Sequence, residues 1–382
     1  MSSPIPVTKP LLGQAECNAI KSVIQSAWVA QGPKVAEFEE LFAQTIGAKY
    51  AVAVSSCTTA LHLALLVLDI GTGDGVICPS FSFIATANVI RYCRARPVFG
   101  DIDSRTYNLS PDDVEYLLKH HKKIKAILVV DQVGLPADWE HFLHLSKKYG
   151  IALIEDAACA VGSEYRLDGK WKKIGSFGDL CCFSFHGRKV LTTGEGGMIT
   201  TSHKIFANRL RRLRHHGMSI SDFDRHQSDK IIFESYPELG FNYRMSDIQA
   251  AIGIAQLSRL NRILAKRRKL ADHYTQAFQR QSALVPPFVP SNTRPNFQSY
   301  LLRLSEKAKL SRNQLMTQLL KRGIHTRRGI MAIHRELCYA DYQARLPETE
   351  KASDSTVILP LYPAMSGREI NYVISNILEI LQ

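Results

Sequence analysis

Five short apolar or β-branched runs, at 51–55, 75–79, 97–101, 126–131 and 151–156, each close on a polar or turn residue. Helical patterns separate several of them, at 59–68, 85–94, 112–120 and 139–149, the third opened by Ser110 as a cap and Pro111 at the first helical position. Strands that alternate with helix-length crossovers predict a mainly parallel sheet covered on both faces, an α/β fold. Ligands of such sheets sit beyond the carboxyl ends of the strands, so the residues just after each run are the candidates for chemistry.

The pattern changes near Gly240. Residues 246–279 read as one long helix with Asp247 in its first turn, and 284–295, with four prolines, reads as a connection. A strand at 299–304, a helix at 312–322 opened by Ser311, a further strand and loop through His334 and a terminal helix from Arg368 complete a small α+β unit. The expected division is a large α/β domain over 1–245, then a linking helix and a smaller C-terminal α+β domain over 246–382. A chain of 382 residues has room for both.

Composition removes several classes. Hydrophobic residues make up 45% and charged ones 22%, which disfavours a disordered or fibrous chain. The densest apolar stretch, 60–68, is interrupted by His62 and is less than half of the roughly 20 residues a membrane span needs. The N-terminus shows no secretory pattern, so a cytoplasmic location and no membrane partner are expected. Eight cysteines form no C-x-x-C pair, and none of their spacings suits a metal site or a disulfide framework. The formal net charge of +13 points to an anionic partner, either a nucleic acid or a small molecule.

The stretch 151–201 carries most of the chemical information. Asp156 ends a strand, and thirty-three residues later Lys189 follows CCFSFH and precedes the glycine-rich turn TTGEGG. A strand-end carboxylate can hold a proton on a buried pyridine nitrogen, and a loop lysine can form an imine with an aldehyde. Together they describe a pyridoxal phosphate site, although singly each residue is more often a cap or a solvated surface group. Ser55-Ser56-Cys57-Thr58-Thr59 opens a helix, where free N–H groups favour an anion, and Ser184 adds a hydroxyl. Phe81 and Phe83 of PSFSF are two candidates to stack on a cofactor ring, with ordinary core packing as the competing role.

The stretches WVAQGPKVAEFEELFA, SSCTTALHLAL, PSFSFIATAN, IEDAACAVGS, FSFHGRK-x-x-TTGEGGM, LGFNYRMSDIQAAIGIAQL and TRRGIMAIH, in this order, resemble the DegT/StrS family of nucleotide-sugar aminotransferases. The resemblance runs from Pro10 to the last helix. It implies the aspartate aminotransferase fold (fold type I) and pyridoxal 5'-phosphate as cofactor. It also implies the roles: Lys189 as the cofactor-bearing lysine and proton carrier, Asp156 as the pyridinium partner and Phe83 as the stacking ring. Cys57, Thr58, Thr59 and Ser184 match phosphate-binding positions, and Asn242 matches an asparagine that reaches the phosphate from the neighbouring subunit of a homodimer. His186 and Arg188 are implied substrate contacts. Many family members carry Gln three residues after the aspartate, to support the cofactor's 3'-oxygen; Cys159 stands there, and a thiol is a weak donor. Lys189 itself excludes the family's sugar dehydratase branch, in which a histidine takes its place.

The implied reaction takes an amino group from glutamate and delivers it to a nucleotide-linked keto sugar. The lysine segment tilts the expectation toward carbon 4 of a 4-keto-6-deoxy sugar, as in perosamine synthases, for surface polysaccharide or glycosylated natural products. Lys189 is expected to have a lowered pKa from desolvation or neighbouring cations. Arg327, Arg328 and His334 are candidates for the substrate's diphosphate, against the competing reading of a solvated basic loop. Two other readings stand beside this one: a 3-keto-sugar or cyclitol aminotransferase or regulatory relative, and a nucleic-acid binder using basic clusters at 120–125, 209–216 and 266–269. Those clusters lie far apart and lack aromatic interleaving, which favours solvated helix faces and no nucleic acid.

Overall fold

A computed structural model of the chain describes residues 4–220, 231, 233–342 and 344–382. Helices α1 (Gln14–Gln25) and α2 (Pro33–Ile46) lead into strand β1 (Tyr50–Val54) and helix α3 (Cys57–Val67). Then come β2 (Gly75–Pro79), α4 (Ala85–Tyr92), β3 (Arg96–Gly100), α5 (Pro111–His120), β4 (Ile124–Val130), α6 (Trp139–Tyr149) and β5 (Ala152–Asp156). The alternation read from the sequence is therefore present, with ends moved by one or two residues, the usual uncertainty of helix and strand termini. A hairpin of β6 (Glu164–Leu167) and β7 (Lys170–Lys173), strands β8 (Leu180–Ser184) and β9 (Gly197–Thr201) and helix α7 (Lys204–Leu213) follow.

The large sheet has the order β1-β9-β8-β5-β4-β2-β3. Strands β3, β2, β4, β5 and β8 pair in parallel, while β9 runs antiparallel between β8 and β1. Its strands are buried almost throughout because helices cover both faces. One face packs Phe38, Phe42, Phe183, Phe185 and Trp139, and the other packs α3, α4 and α7 through side chains such as Leu61, Leu65, Ile90 and Leu210.

The expected single helix over 246–279 is two helices, α8 (Asp247–Leu257) and α9 (Leu260–Phe278). Arg259, between them, leaves helical geometry (φ −108°, ψ 3°), and its guanidinium binds Glu16, which also accepts from Gln256 Nε2 at 2.7 Å. The break thus falls where the chain is tied to the α1 entry. Asp247 does more than favour its own helix end. Its carboxylate accepts from the N–H groups of Gly32 (2.8 Å), Lys34 (3.0 Å) and Val35 (3.0 Å), capping α2 from far along the chain.

Beyond α9, β10 (Leu284–Val285), β11 (Thr293–Arg294), β12 (Tyr300–Leu304), α10 (Arg312–Lys321), β13 (Arg327–Arg328), α11 (Pro347–Ser355), β14 (Thr356–Leu359) and α12 (Gly367–Leu381) form the C-terminal unit around a sheet of order β10-β12-β14-β13. The proline-rich 284–295 is not wholly a connection, since β10 joins this sheet and β11 adds to β6 and β7. The expected boundary at 245/246 also omits a strap: Ile5 bridges to Ile324 and lies in the C-terminal core.

Candidate active site

Strand β1 is antiparallel to β9, and β9 to β8, so β1, β2, β5 and β8 all point their carboxyl ends at one edge of the sheet. Each delivers part of a site there. After β1, Ser56 caps α3, its Oγ accepting from Thr59 N at 3.2 Å, while Thr59 Oγ1 donates to Ser56 O at 2.8 Å. Thr59 N and Oγ1 both serve the cap in this structure, at the helix entry where a phosphate role is expected of it. The N–H groups of Cys57 and Thr58 are left unclaimed among the described residues, at the positive end of an eleven-residue helix. Burial pushes the Cys57 thiol well up, so the group it offers an anion is its N–H.

Gly197 lets this turn lie against the sheet. A Cβ there would come within 2.5 Å of the Ser56 carbonyl and 2.8 Å of Cys57 N. The same glycine is the cross-strand partner of Ser184, which places the buried Ser184 hydroxyl beside the α3 entry.

Asp156, at the end of β5, is buried; its Oδ2 accepts from Thr86 Oγ1 and its Oδ1 from Ala158 N, both at 3.1 Å. Burial raises its pKa above the usual aspartate value, against the opposing pull of those two donors and of the Lys189 charge. A cationic ring nitrogen is the partner that would relieve this desolvated carboxylate. Thr86 was not singled out from the sequence, although it lies in PSFSFIATAN three residues after Phe83. The two phenylalanines separate cleanly: Phe81 is fully buried and Phe83 is 66% exposed.

Lys189 lies on the loop between β8 and β9, which folds back through Thr193 N to Phe185 O (2.9 Å) and turns at Gly194, φ 84°. Lys189 Nζ is 3.1 Å from Cys159 Sγ. The thiol standing in the family's glutamine position therefore faces the lysine. The expected lowering of the lysine pKa is corrected: burial does lower it, but contact with Cys159 and the nearby Cys57 and Asp156 outweigh burial, and Lys189 is held above its ordinary value.

His186 and Arg188 flank this loop. Arg188 is exposed, and His186 Nδ1 accepts from Arg188 N at 3.2 Å while its Nε2 lies 3.6 Å from Glu195. Asn242 is exposed, and its side chain makes no hydrogen bond among the described residues. Its neighbour Tyr243 accepts from Ser55 N at 2.8 Å, which places the segment beside the α3 entry of its own chain. Arg327 and Arg328 are exposed on β13, with Arg328 3.5 Å from Glu336. His334 is a correction. Its Nδ1 lies 2.7 Å from Ser80 Oγ and its Nε2 3.3 Å from Glu350, so both ring nitrogens serve internal contacts and the side chain is buried.

These residues fit pyridoxal phosphate. The carboxylate, the open phenyl ring, the amine and the free helix N–H groups match the cofactor's pyridine nitrogen, ring face, aldehyde and phosphate in chemical type. Among the described residues no group of three or more His, Cys, Asp or Glu is arranged to hold a metal ion.

Comparison with known proteins agrees with this chemistry. The model of the DegT/DnrJ/EryC1/StrS aminotransferase family matches residues 10–378. The spore coat polysaccharide biosynthesis protein SpsC of Bacillus subtilis is 37% identical over 384 residues, covering 99% of this chain and 97% of its own. PseC of Helicobacter pylori, an aminotransferase involved in the biosynthesis of pseudoaminic acid, has a TM-score of 0.92 at 26% identity, with 99% of each chain covered. Spr1654 of Streptococcus pneumoniae in its PLP-form has a TM-score of 0.89 at 25% identity, covering 99% of this chain and 100% of that one. By the match along nearly its whole length and the fold it shares, the chain belongs to the DegT/DnrJ/EryC1/StrS aminotransferase family, and it is a pyridoxal phosphate-dependent sugar aminotransferase.

Proposed function

We propose that the chain moves an amino group from glutamate to carbon 4 of a nucleotide-linked 4-keto-6-deoxy sugar, in the making of a surface polysaccharide or a glycosylated natural product. The observation that carries the reading is the meeting, at one sheet edge, of the Lys189 amine with the buried Asp156 carboxylate and the unclaimed α3 N–H groups. SpsC, named for spore coat polysaccharide biosynthesis, supports the polysaccharide setting.

Bound pyridoxal phosphate supplies an aldehyde that captures amines and a ring that accepts the electrons of a carbanion. The chain's own residues do the rest. Asp156 holds a proton on the ring nitrogen, and Thr86 and Ala158 N keep the carboxylate oriented. Phe83 packs on one ring face, and Cys57 N, Thr58 N and Ser184 Oγ receive the phosphate. Lys189 Nζ takes a proton from the donor's α-carbon and returns one to the sugar carbon. Cys159, 3.1 Å from Nζ, takes the position from which many family members support the cofactor's 3'-oxygen, a support its thiol would give only weakly. Arg327 and Arg328 attract the nucleotide diphosphate, while His186 and Arg188 border the sugar.

The working unit in this reading is a homodimer, with Asn242 donated to the partner's phosphate. Ile231, Phe233 and Leu239, close by in sequence, are almost fully exposed apolar side chains that a second copy would cover. A cytoplasmic setting suits the eight free cysteines. No helix among the described residues is long and apolar enough to cross a membrane.

Product analysis tests the proposal. The protein, glutamate and a panel of nucleotide-linked 3- and 4-keto-6-deoxy sugars are incubated, and products are read by mass spectrometry and NMR. A 4-amino sugar is expected; amination only at carbon 3, or only of a cyclitol, overturns the substrate assignment.

A further inference from the structure

One side chain holds both peptide groups that flank Lys189. Gln298 Oε1 accepts from Val190 N at 2.8 Å, and Gln298 Nε2 donates to Arg188 O at 2.8 Å. A single amide thus pairs with the chain on either side of the lysine, as a neighbouring strand would. The backbone that carries this amide is itself held on both sides. Gln298 N donates to Asn296 Oδ1 at 2.7 Å, and Asn296 Nδ2 donates to Cys159 O at 2.8 Å and Val161 O at 2.9 Å. Buried Arg267, from α9, donates to Phe297 O at 2.9 Å and to Gln298 O at 2.6 Å. Phe297 between these residues takes a left-handed φ of 50°, a conformation that persists only where its surroundings dictate it.

The strap 296–298 therefore ties together the lysine loop and the turn that carries Cys159, the atom group nearest Nζ. A lysine head on four rotatable carbons is placed only as well as its backbone. Nζ has to accept and return a proton at successive steps, and displacement of a reacting group by about 1 Å can cost about 100-fold in rate. We propose that Gln298 is a positioning residue for Lys189, clamping the peptide groups on both sides of it so that Nζ stays aimed at the Asp156 and Cys159 turn. The inference rests on the reading of Lys189 as the lysine that carries the cofactor.

Two variants test it. Gln298→Leu has nearly the same length and removes both bonds, while Gln298→Glu keeps the acceptor for Val190 N and loses the donor to Arg188 O. In the holoenzyme, kcat of Gln298→Leu is expected to fall about 10- to 100-fold with KM for both substrates within about twofold. In cofactor-free protein, competitive labelling with acetic anhydride, read by peptide mass spectrometry, is expected to show Lys189 reactivity changed at least about threefold relative to other lysines, because its amine is no longer held. Normal kcat, or a lowered melting temperature with Lys189 reactivity unchanged, overturns the proposal and leaves Gln298 a structural residue. If Gln298→Leu does not fold, Gln298→Glu is judged by the same two readouts. Borohydride trapping of the cofactor in the unaltered holoenzyme separates this from the underlying reading. Label on another lysine overturns the role of Lys189; label on Lys189 with unaffected variants overturns the clamp alone.

Discussion

Removing the Thr86 hydroxyl isolates one interaction of the Asp156 carboxylate without touching the carboxylate. Thr86→Val keeps the side chain's shape and deletes the donor 3.1 Å from Asp156 Oδ2, leaving Ala158 N on Oδ1. A hydrogen bond to a charged group is worth about 1.5–3 kcal/mol, and 1.36 kcal/mol is a tenfold change, so the proton affinity of Asp156 should rise by about one to two powers of ten. The sign follows from the structure. Burial already pushes this carboxyl up, and Thr86 is one of the groups pulling it back, so its loss lets burial act further. The ionised form is the one that holds a proton on the ring nitrogen, so the acid limb of the kcat/KM profile should move to higher pH while the alkaline limb stays. Two assays read this: the pH–rate profile of the holoenzyme, and the carbon-13 shift of labelled Asp156 in cofactor-free protein. Thr86 Oγ1 also lies 2.8 Å from Ser82 Oγ, so Ser82→Ala is the control that disturbs Thr86's other contact only. If Thr86→Val moves neither midpoint, or moves them no more than Ser82→Ala does, the hydroxyl does not tune Asp156 and the account of this carboxylate is wrong.

Arg327→Gln and Arg328→Gln should each raise KM for the nucleotide sugar about 2- to 5-fold with kcat little changed, and the effect should fade at high salt, as for exposed charges worth up to about 1 kcal/mol; an unchanged KM in both moves the diphosphate elsewhere. Glu155 is buried, and burial raises it to about 7 in spite of N–H donors at Gly175, Phe177 and Gly178. Between its ordinary value near 4.5 and about 7 the folded state holds the extra proton, so this group's contribution to stability is lost as pH rises through that window. Glu155→Gln mimics the protonated form, and its melting temperature relative to the unaltered protein should improve from pH 4.5 to about 7 and level off above it; a constant difference refutes the assignment. Mixing inactive Lys189→Ala and Asn242→Asp subunits should restore activity through heterodimers that keep one site with both native residues. No recovery despite demonstrated exchange would place Asn242 and Lys189 in the same subunit's site.

The sheet was legible because burial on both faces makes a parallel strand a mostly apolar run, seen in Val76–Cys78 of β2, Ala126–Val130 of β4 and Ala152–Ile154 of β5. The α8–α9 break was not, because nothing in the local pattern at Ser258 and Arg259 announces it, and the contact of Arg259 with Glu16 at the break exists only in the folded chain. Asp247 shows the same limit, since its first-turn position was visible and its capping of α2 was not. Within the site, Asp156 and Lys189 stood out through their neighbours in sequence. Thr86 and Gln298 did not, being ordinary residues whose partners lie 70 to 110 positions away. The upward shift of Lys189 was not legible because the sequence does not show that Cys159 Sγ lies 3.1 Å from its Nζ or that Cys57 and Asp156 act on it.

The C-terminal unit braces what β2 and β8 deliver. Ser80 and Phe81 belong to the same short motif as Phe83, and the sequence treats the two phenylalanines alike. The fold separates them because the segment after β13 takes hold of the first: Phe81 bridges to Ala332, Ile333 N donates to Ser80 O at 2.8 Å, and Phe81 packs against Tyr107 and Leu301. Once Ser80 and Phe81 are fixed this way, Phe83 is the one ring of the pair left open at the sheet edge. His334, expected to meet a phosphate, is spent on that anchor through Ser80 Oγ, and Gln298 braces the lysine loop on the other side. Two segments beyond residue 295 thus brace two parts of the proposed site, the turn that carries the exposed Phe83 and the loop that carries Lys189. A chain truncated before them would lose the His334 and Ile333 contacts to Ser80 on one side and the Gln298 contacts to Arg188 O and Val190 N on the other.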